Sequence, residues 1–370
     1  MPQISTFSIT DHHNKAMNLT FKAIMKYVLI IFIVVTFSSC SNSDSRPDLS
    51  NIHVNLQIHR FEDDFFALDS NNTRTGLLEL TKKYPDFLPL FVTHVLGLGP
   101  VNDSNELAYT GSRRFLHLNR PVYDQAHSLF KKFNTLEQEL QSGFRYLSYY
   151  YPHYKIPEIY TTVGPMDALA PMSNQEPSPN FMGENFIAIG LQFYLGKDFS
   201  IYNDPAFISN IAPQYRSKRF SKEYITTDVF RLVLDDMYPD SSNRLPLIER
   251  FIEKGKRQYL LKKLLPEKPD TLLIGYTAEQ LKWCHNNERS IYNFFVQQRL
   301  LFEIDPALTQ NFTTEGPFTQ GMPETSPGNI GAFLGWQIVN SFMEKRKLSP
   351  DALMKTKAGD IFSGSGYKPR

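Results

Sequence analysis

Between Tyr27 and Phe37 the chain runs through eleven residues without a charge, and Cys40 follows after Ser38 and Ser39. A helix that crosses a bilayer needs about 20 apolar residues, whereas a signal-peptide core needs only about 7–15. The run therefore addresses the chain and does not span a membrane, and the fold must be read from the residues beyond Cys40. Lys15, Lys22 and Lys26 precede the run, and Phe37-Ser38-Ser39-Cys40 has the form of a lipobox, in which small residues lead to the cysteine that is acylated. Residues 1–39 are expected to be a lipoprotein signal peptide, with Met17 or Met25 as alternative starts, and Cys40 to become the lipidated N-terminus. The plainer alternative is an ordinary cysteine after a short helix. Two or three acyl chains, at ~0.8 kcal/mol per buried CH2, suffice for stable anchoring without a transmembrane helix. Ser41 in place of an aspartate after the cysteine favours the outer membrane, with the domain facing the periplasm.

Without the leader the chain loses three lysines and Asp11, and its formal charge passes from +1 to −1. A general nucleic-acid binder needs an excess of cations, so that class is set aside. With 41% hydrophobic and 14% aromatic residues the chain is too apolar to stay disordered. Its two cysteines, Cys40 and Cys284, allow neither a disulfide framework nor a four-cysteine zinc site.

Ser41 to Ser50 is polar and aperiodic, so residues 40–50 read as a flexible tether and residues 51–370 as the globular part. Ile52, Val54, Leu56 and Ile58 alternate with polar residues, the period of a half-buried strand. Glu62, Asp63 and Asp64 lack the alternating spacing and turn glycine of a calcium loop, and a solvated face is expected for them. Residues 77–98 read as a helix broken at Pro85 or Pro89, and residues 122–133 as another. Thr135-Leu-Glu-Gln138 has capping-box form before a helix that stops at Tyr151-Pro152. Residues 156–163 and 186–195 have strand composition, separated by a Pro-, Ser- and Met-rich loop over 165–183. From Glu223 onward the pattern is helical, with a second capping box at Thr277-Ala-Glu-Gln280, an N-cap and first-turn proline at Ser349-Pro350, and Gly359 as a C-cap. The expected fold is α+β, helix-dominated, a single domain with a small sheet from the first half of the chain.

Local motifs nominate no catalyst. His53, His59, His94, His117, His127, His153 and His285 include no pair three or four residues apart, and no Gly-x-Ser-x-Gly or Walker-type loop is present. Cys284 reads as a small buried hydrophobe. Arg250, Lys254 and Arg257 recur at helical spacing beside Leu247, Phe251, Ile252 and Tyr259. They form either a solvated basic face or a contact for an acidic partner or anionic lipid. Gly331 and Gly335, after Pro327-Gly328, leave one helix face without side chains for close packing, with Pro327 starting the helix. Trp283 and Trp336 read as core anchors.

Four blocks stand in order near the C-terminus: Phe251-Ile-Glu-Lys-Gly-Lys-Arg-Gln-Tyr259, Leu273-Ile-Gly-Tyr-Thr277, Glu279-Gln-Leu-Lys-Trp-Cys284 and Pro327-Gly-Asn-Ile-Gly-Ala-Phe-Leu-Gly-Trp-Gln-Ile-Val339. With Arg60-Phe61, Tyr84-Pro85 and residues 160–164 upstream, the chain resembles the gliding-motility lipoprotein GldB family of the Bacteroidota. The motif residues of the resemblance are Glu253, Gly255, Lys256, Tyr276, Trp283, Pro327, Gly328, Gly331, Gly335 and Trp336. It implies a lipid-anchored envelope protein required for gliding, alongside components of the gliding machinery and of type 9 secretion, with no small-molecule substrate and no cofactor. The layout is also similar to zincin-like zinc peptidases, in which an H-E-x-x-H helix precedes an acidic-Gly motif. Here residues 225–238 contain no histidine, and Lys254 stands directly before Gly255, with Glu253 one place earlier. A lysine opposes Zn²⁺, so the resemblance implies a zincin-like domain with a degenerate metal site, non-enzymatic and acting by protein contact. A periplasmic zinc peptidase with an atypical site, or an accessory of type 9 secretion, is the alternative.

Overall fold

Four short strands, β1 (Ile58–Arg60), β2 (Glu158–Thr162), β3 (Asn180–Met182) and β4 (Phe186–Gly190), lie side by side in the order β1-β2-β4-β3. β2 pairs in parallel with both β1 and β4, and β3 runs antiparallel to β4. The computed structural model describes residues 46–102, 104–169 and 177–370, of which Leu49 onward form one compact unit. The expected signal peptide, Cys40 and the first half of the expected tether lie outside the described residues.

Every residue of β4 is buried, which is why it reads as a continuous apolar run. The alternating segment from Ile52 enters the sheet only at Ile58. Ile58 pairs with Ile159, so extension toward Leu56 would meet Pro157, which has no N–H for the ladder. β3 falls inside the segment expected to be loop. Its three residues lack a strand-like run and are held as an edge by register with Ile187 to Ile189.

Helices α1 (Phe61–Phe66), α2 (Thr73–Lys83), α3 (Glu106–Leu129) and α4 (Asn134–Tyr150) make the crossover between β1 and β2. α2 ends before Tyr84-Pro85, and helix resumes at Leu88–Leu90 before a π turn over Phe91–Val95. The capping box expected at Thr135 does not form: α4 starts at Asn134, two residues earlier than that cap would place it, with Phe133 at its N-cap and no side-chain cap bond. α1 overturns the solvated-face reading for Glu62, whereas Asp63 and Asp64 stay about a third exposed. Glu62 is only 1% exposed, and its carboxylate accepts from Arg60 Nε at 2.5 Å and from Thr161 Oγ1 at 2.5 Å. Burial raises its carboxyl above the ordinary value against the pull of Arg60. Around it Phe61 meets Phe87 edge-on at 4.8 Å, and Phe87 stacks on Tyr160 at 4.4 Å, fastening helix to sheet.

The second half contains α5 (Ile225–Met237), α6 (Leu247–Leu264), α7 (Ala278–Asn286), α8 (Glu288–Gln297), α9 (Pro306–Thr313), α10 (Ile330–Arg346), α11 (Pro350–Lys355) and α12 (Ala358–Ser365). The Thr277 capping box forms in full at the start of α7, and Ser349 caps α11 with Pro350 in its first turn. Gly359 lies inside α12, however, and Gly366 ends that helix in the left-handed conformation. α10 is apolar and buried from Ile330 to Val339 apart from Gln337, and Phe342 and Met343 continue its buried side. It packs along α6, which also touches α4, α5, α9, α11 and α12. Gly255 and Gly335 stand at the crossing of α6 and α10, and Gly331 admits the Phe251 ring. Close packing is therefore the role of both α10 glycines. Pro327 does not begin that helix: Asn329, at φ 54°, is the N-cap, and Gly328 presses on the Gly316 backbone.

Candidate functional site

α6 is surrounded by other helices, so its charged residues cannot share one solvated face. One turn, Glu253 to Arg257, divides them between two hollows while Gly255 faces α10. Lys254, Arg257 and Gln258 line a cleft of about 120 Å³, together with Arg216, Arg219, Tyr224, Asp228, Arg231, Glu315 and Asn329. Glu253, Lys256 and Arg257 line a second hollow of about 290 Å³ beside Tyr238, Asp240 and Lys357. Lys256 is buried there, its Nζ 2.8 Å from Glu253 Oε1 and 3.2 Å from the Met354 carbonyl.

The first cleft has five cationic side chains and two carboxylates in its wall, a formal charge of +3. Arg231 donates to Asp228 Oδ1 at 3.0 Å and to the Leu273 carbonyl at 2.8 Å. Asp228 in turn accepts from the Tyr194 hydroxyl at 3.1 Å, and that hydroxyl accepts from Asn180 Nδ2 at 2.9 Å, tying α5 to β3. Arg219 donates to Glu315, Arg216 to the Pro177 carbonyl and Arg257 to the Tyr238 carbonyl. Burial raises Asp228 above the ordinary carboxyl value in spite of Arg231 and Arg219. Glu315 ends below it, because the charges of Arg219 and Arg216 outweigh the same burial effect. The buried Gln258 Oε1 and the Asn329 Oδ1 have no hydrogen-bond partner.

The basic trio of α6 is split by this geometry. Lys254 and Arg257 meet in the cleft, but Arg250 is 8% exposed and donates to Thr309 Oγ1 at 2.6 Å and Thr313 Oγ1 at 2.9 Å. A side chain so enclosed does not touch a lipid surface, so Arg250 is corrected to a packing residue between α6 and α9. Tyr276 is buried and donates to the Asn329 carbonyl at 2.8 Å, holding the start of α10. Trp336 is buried and Trp283 partly so, both against the core. Arg216, Arg219, Arg231 and Glu315 went unnoticed in the sequence. The only local sign was the basic run Arg216-Ser-Lys-Arg219, and Arg231 one turn beyond Asp228.

Among the described residues, no group of three or more His, Cys, Asp or Glu side chains is arranged to hold a metal ion, and no helix is long and apolar enough to cross a membrane.

The protein is thus a helix-dominated α+β domain with a small mixed sheet and a cation-rich cleft between α5 and α6. Over residues 42–369 the chain matches the family model described as gliding motility protein GldB, and it belongs to that family. Membership implies involvement in gliding motility. Comparison with curated proteins and with solved structures gave no match.

Proposed function

We propose that the protein serves gliding motility as a lipid-anchored envelope component that works without catalysis, by holding another protein at the cleft between α5 and α6. The observation that carries this reading is the meeting of Arg231 from α5 and Lys254 from α6 in one cleft. In a zincin-like scaffold these two helices would supply metal ligands. Here they supply a guanidinium and an ammonium, which repel Zn²⁺, and Asp228 is already paired with Arg231. The residues present do not fit a metal, and the domain is a zincin-like frame turned to recognition. Cys40 carries the lipid, the tether leads to the domain on the periplasmic side of the outer membrane, and the partner belongs to the gliding or type 9 secretion machinery.

Deletion of the gene, with complementation, tests the role: spreading of colonies is lost and is restored by the intact chain. Spreading that survives a verified deletion overturns it. Elemental analysis of the purified chain tests the absence of catalysis by metal, and stoichiometric zinc would contradict it. Labelled palmitate enters the wild-type chain and is absent from Cys40→Ala.

A further inference from the structure

The exposed side of α3 combines positive charge with apolar surface. Residues 106–132 carry five cationic against two acidic side chains, in a chain that is −1 overall beyond its leader. Arg113, Arg114, Lys131 and Lys132 are exposed and have no ion-pair or hydrogen-bond partner among the described residues. Of the two acids, Glu106 is paired with Arg74, which leaves Asp124 to oppose them. The same helix exposes Leu107 by 58% and Leu118 by 61%. At about 3.6 residues per turn and 1.5 Å per residue, Leu107, Arg114 and Leu118 fall within about 40° of one another, in a stripe about 16 Å long. Arg113 and His117 flank it. Leucines set among unpaired cations are the pattern of an interfacial helix, whose apolar side chains enter the acyl boundary while its cations meet lipid phosphates. The other exposed apolar cluster, Phe302, Ile304 and Leu308, is interleaved with Glu303 and Asp305, whose charges an anionic surface repels.

The length of the tether suits such a contact. From Cys40 to Leu49 the chain can extend up to about 30 Å. The carbonyls of Leu49 and Ile52 are held by Arg145, which lies about 18 Å along α4 from Phe133, beside the turn that carries Lys131 and Lys132.

We propose that the outer face of α3 rests on the anionic phospholipid surface of the membrane to which Cys40 is anchored. Leu107 and Leu118 enter the acyl boundary, and Arg113, Arg114, Lys131 and Lys132 meet the phosphates. The inference rests on the lipid-anchor reading above and adds how the domain is turned toward its membrane. An acyl chain on a tether limits distance, whereas a second contact on the domain itself fixes orientation.

The test is tryptophan fluorescence of Leu118→Trp in the full-length chain on vesicles of phosphatidylcholine and phosphatidylglycerol with brominated acyl chains, against Phe302→Trp on the same vesicles. Subtracting the unaltered chain removes the signals of Trp283 and Trp336. Leu118→Trp is expected to be quenched at least about twofold more than Phe302→Trp. The excess should shrink by about half or more in high salt, on phosphatidylcholine alone, or when Arg113→Gln and Arg114→Gln are added at an unchanged unfolding temperature. Should Leu118→Trp fail to fold, Leu107→Trp reads the same stripe. Equal quenching at the two positions overturns the proposal. So does an absence of quenching on α3, which leaves its cations to an acidic protein. Uptake of labelled palmitate at Cys40 without quenching on α3 sinks this inference and leaves the anchor standing, whereas quenching without palmitate upholds the face and sinks the anchor.

Discussion

Gly255 of α6 and Gly335 of α10 lie backbone against backbone. A Cβ built at 335 falls 1.7 Å from the Phe251 carbonyl oxygen, and one built at 255 falls 2.2 Å from the Gly335 carbonyl carbon. Neither neighbour is the end of a flexible side chain, so an alanine must push the helices apart. Gly335→Ala is expected to cost about 3 kcal/mol or more, measured by denaturant unfolding, at the upper end of overpacking penalties. A loss below about 1 kcal/mol would mean that the crossing yields easily.

Arg250 supplies a second stability test. Its guanidinium bridges two threonine hydroxyls one turn apart on α9, a fork that an ammonium does not reproduce. Arg250→Lys is expected to lower stability by about 1.5–3 kcal/mol while leaving binding to anionic vesicles unchanged. Wild-type stability in Arg250→Lys would show that the fork is dispensable.

The two carboxyls of the cleft titrate in opposite senses. Glu315 sits below its ordinary value of 4.5 when folded, so its contribution is present above that pH and disappears as pH falls through the folded value. The stability gap between wild type and Glu315→Gln should be constant from about pH 6 to 8 and close in acid. Asp228 is raised above its ordinary 3.8, so the folded state binds the proton more readily, and stability is lost as pH rises from 3.8 through the folded value. Asp228→Asn should remove that downward slope. Chemical unfolding of the three proteins across pH 3–8 measures both, and parallel curves would contradict the assignment.

Cys284 is fully buried and its thiol is pushed well above the usual value by that burial. Under native conditions it should resist a thiol reagent for as long as α7 stays packed, and react at once in denaturant. Spectroscopic titration with an aromatic disulfide reads this directly, and rapid native labelling would place the thiol at the surface.

Much of the secondary structure was legible because its signals are local. The Thr277 capping box, the Ser349-Pro350 start, the break at Tyr84-Pro85 and the buried strand at Phe186 all depend on neighbours a few residues away. The readings that failed depend on distant partners. Nothing near Glu62 announces Thr161, ninety-nine residues on, and nothing near Arg250 announces Thr309 and Thr313. The glycine face of α10 could be read from spacing, but its counterpart at Gly255 looked like part of a charged motif. The cleft was half visible: Lys254 and Arg257 stand in a recognisable block, whereas Arg216, Arg219, Arg231 and Glu315 converge only when the chain folds.

The pairing of β1 with β2 carries a consequence for the order of assembly. Ile58 meets Ile159 only after about a hundred residues of crossover, and β4 completes the sheet near the middle of the chain. A polypeptide that emerges N-terminus first therefore presents its opening strand long before that strand has a neighbour. Contacts so remote in sequence form slowly and leave edges exposed meanwhile. The opening strand thus has no neighbour until residue 162 has appeared, and the sheet is complete only when residue 190 has followed, so its closure waits on the middle of the chain.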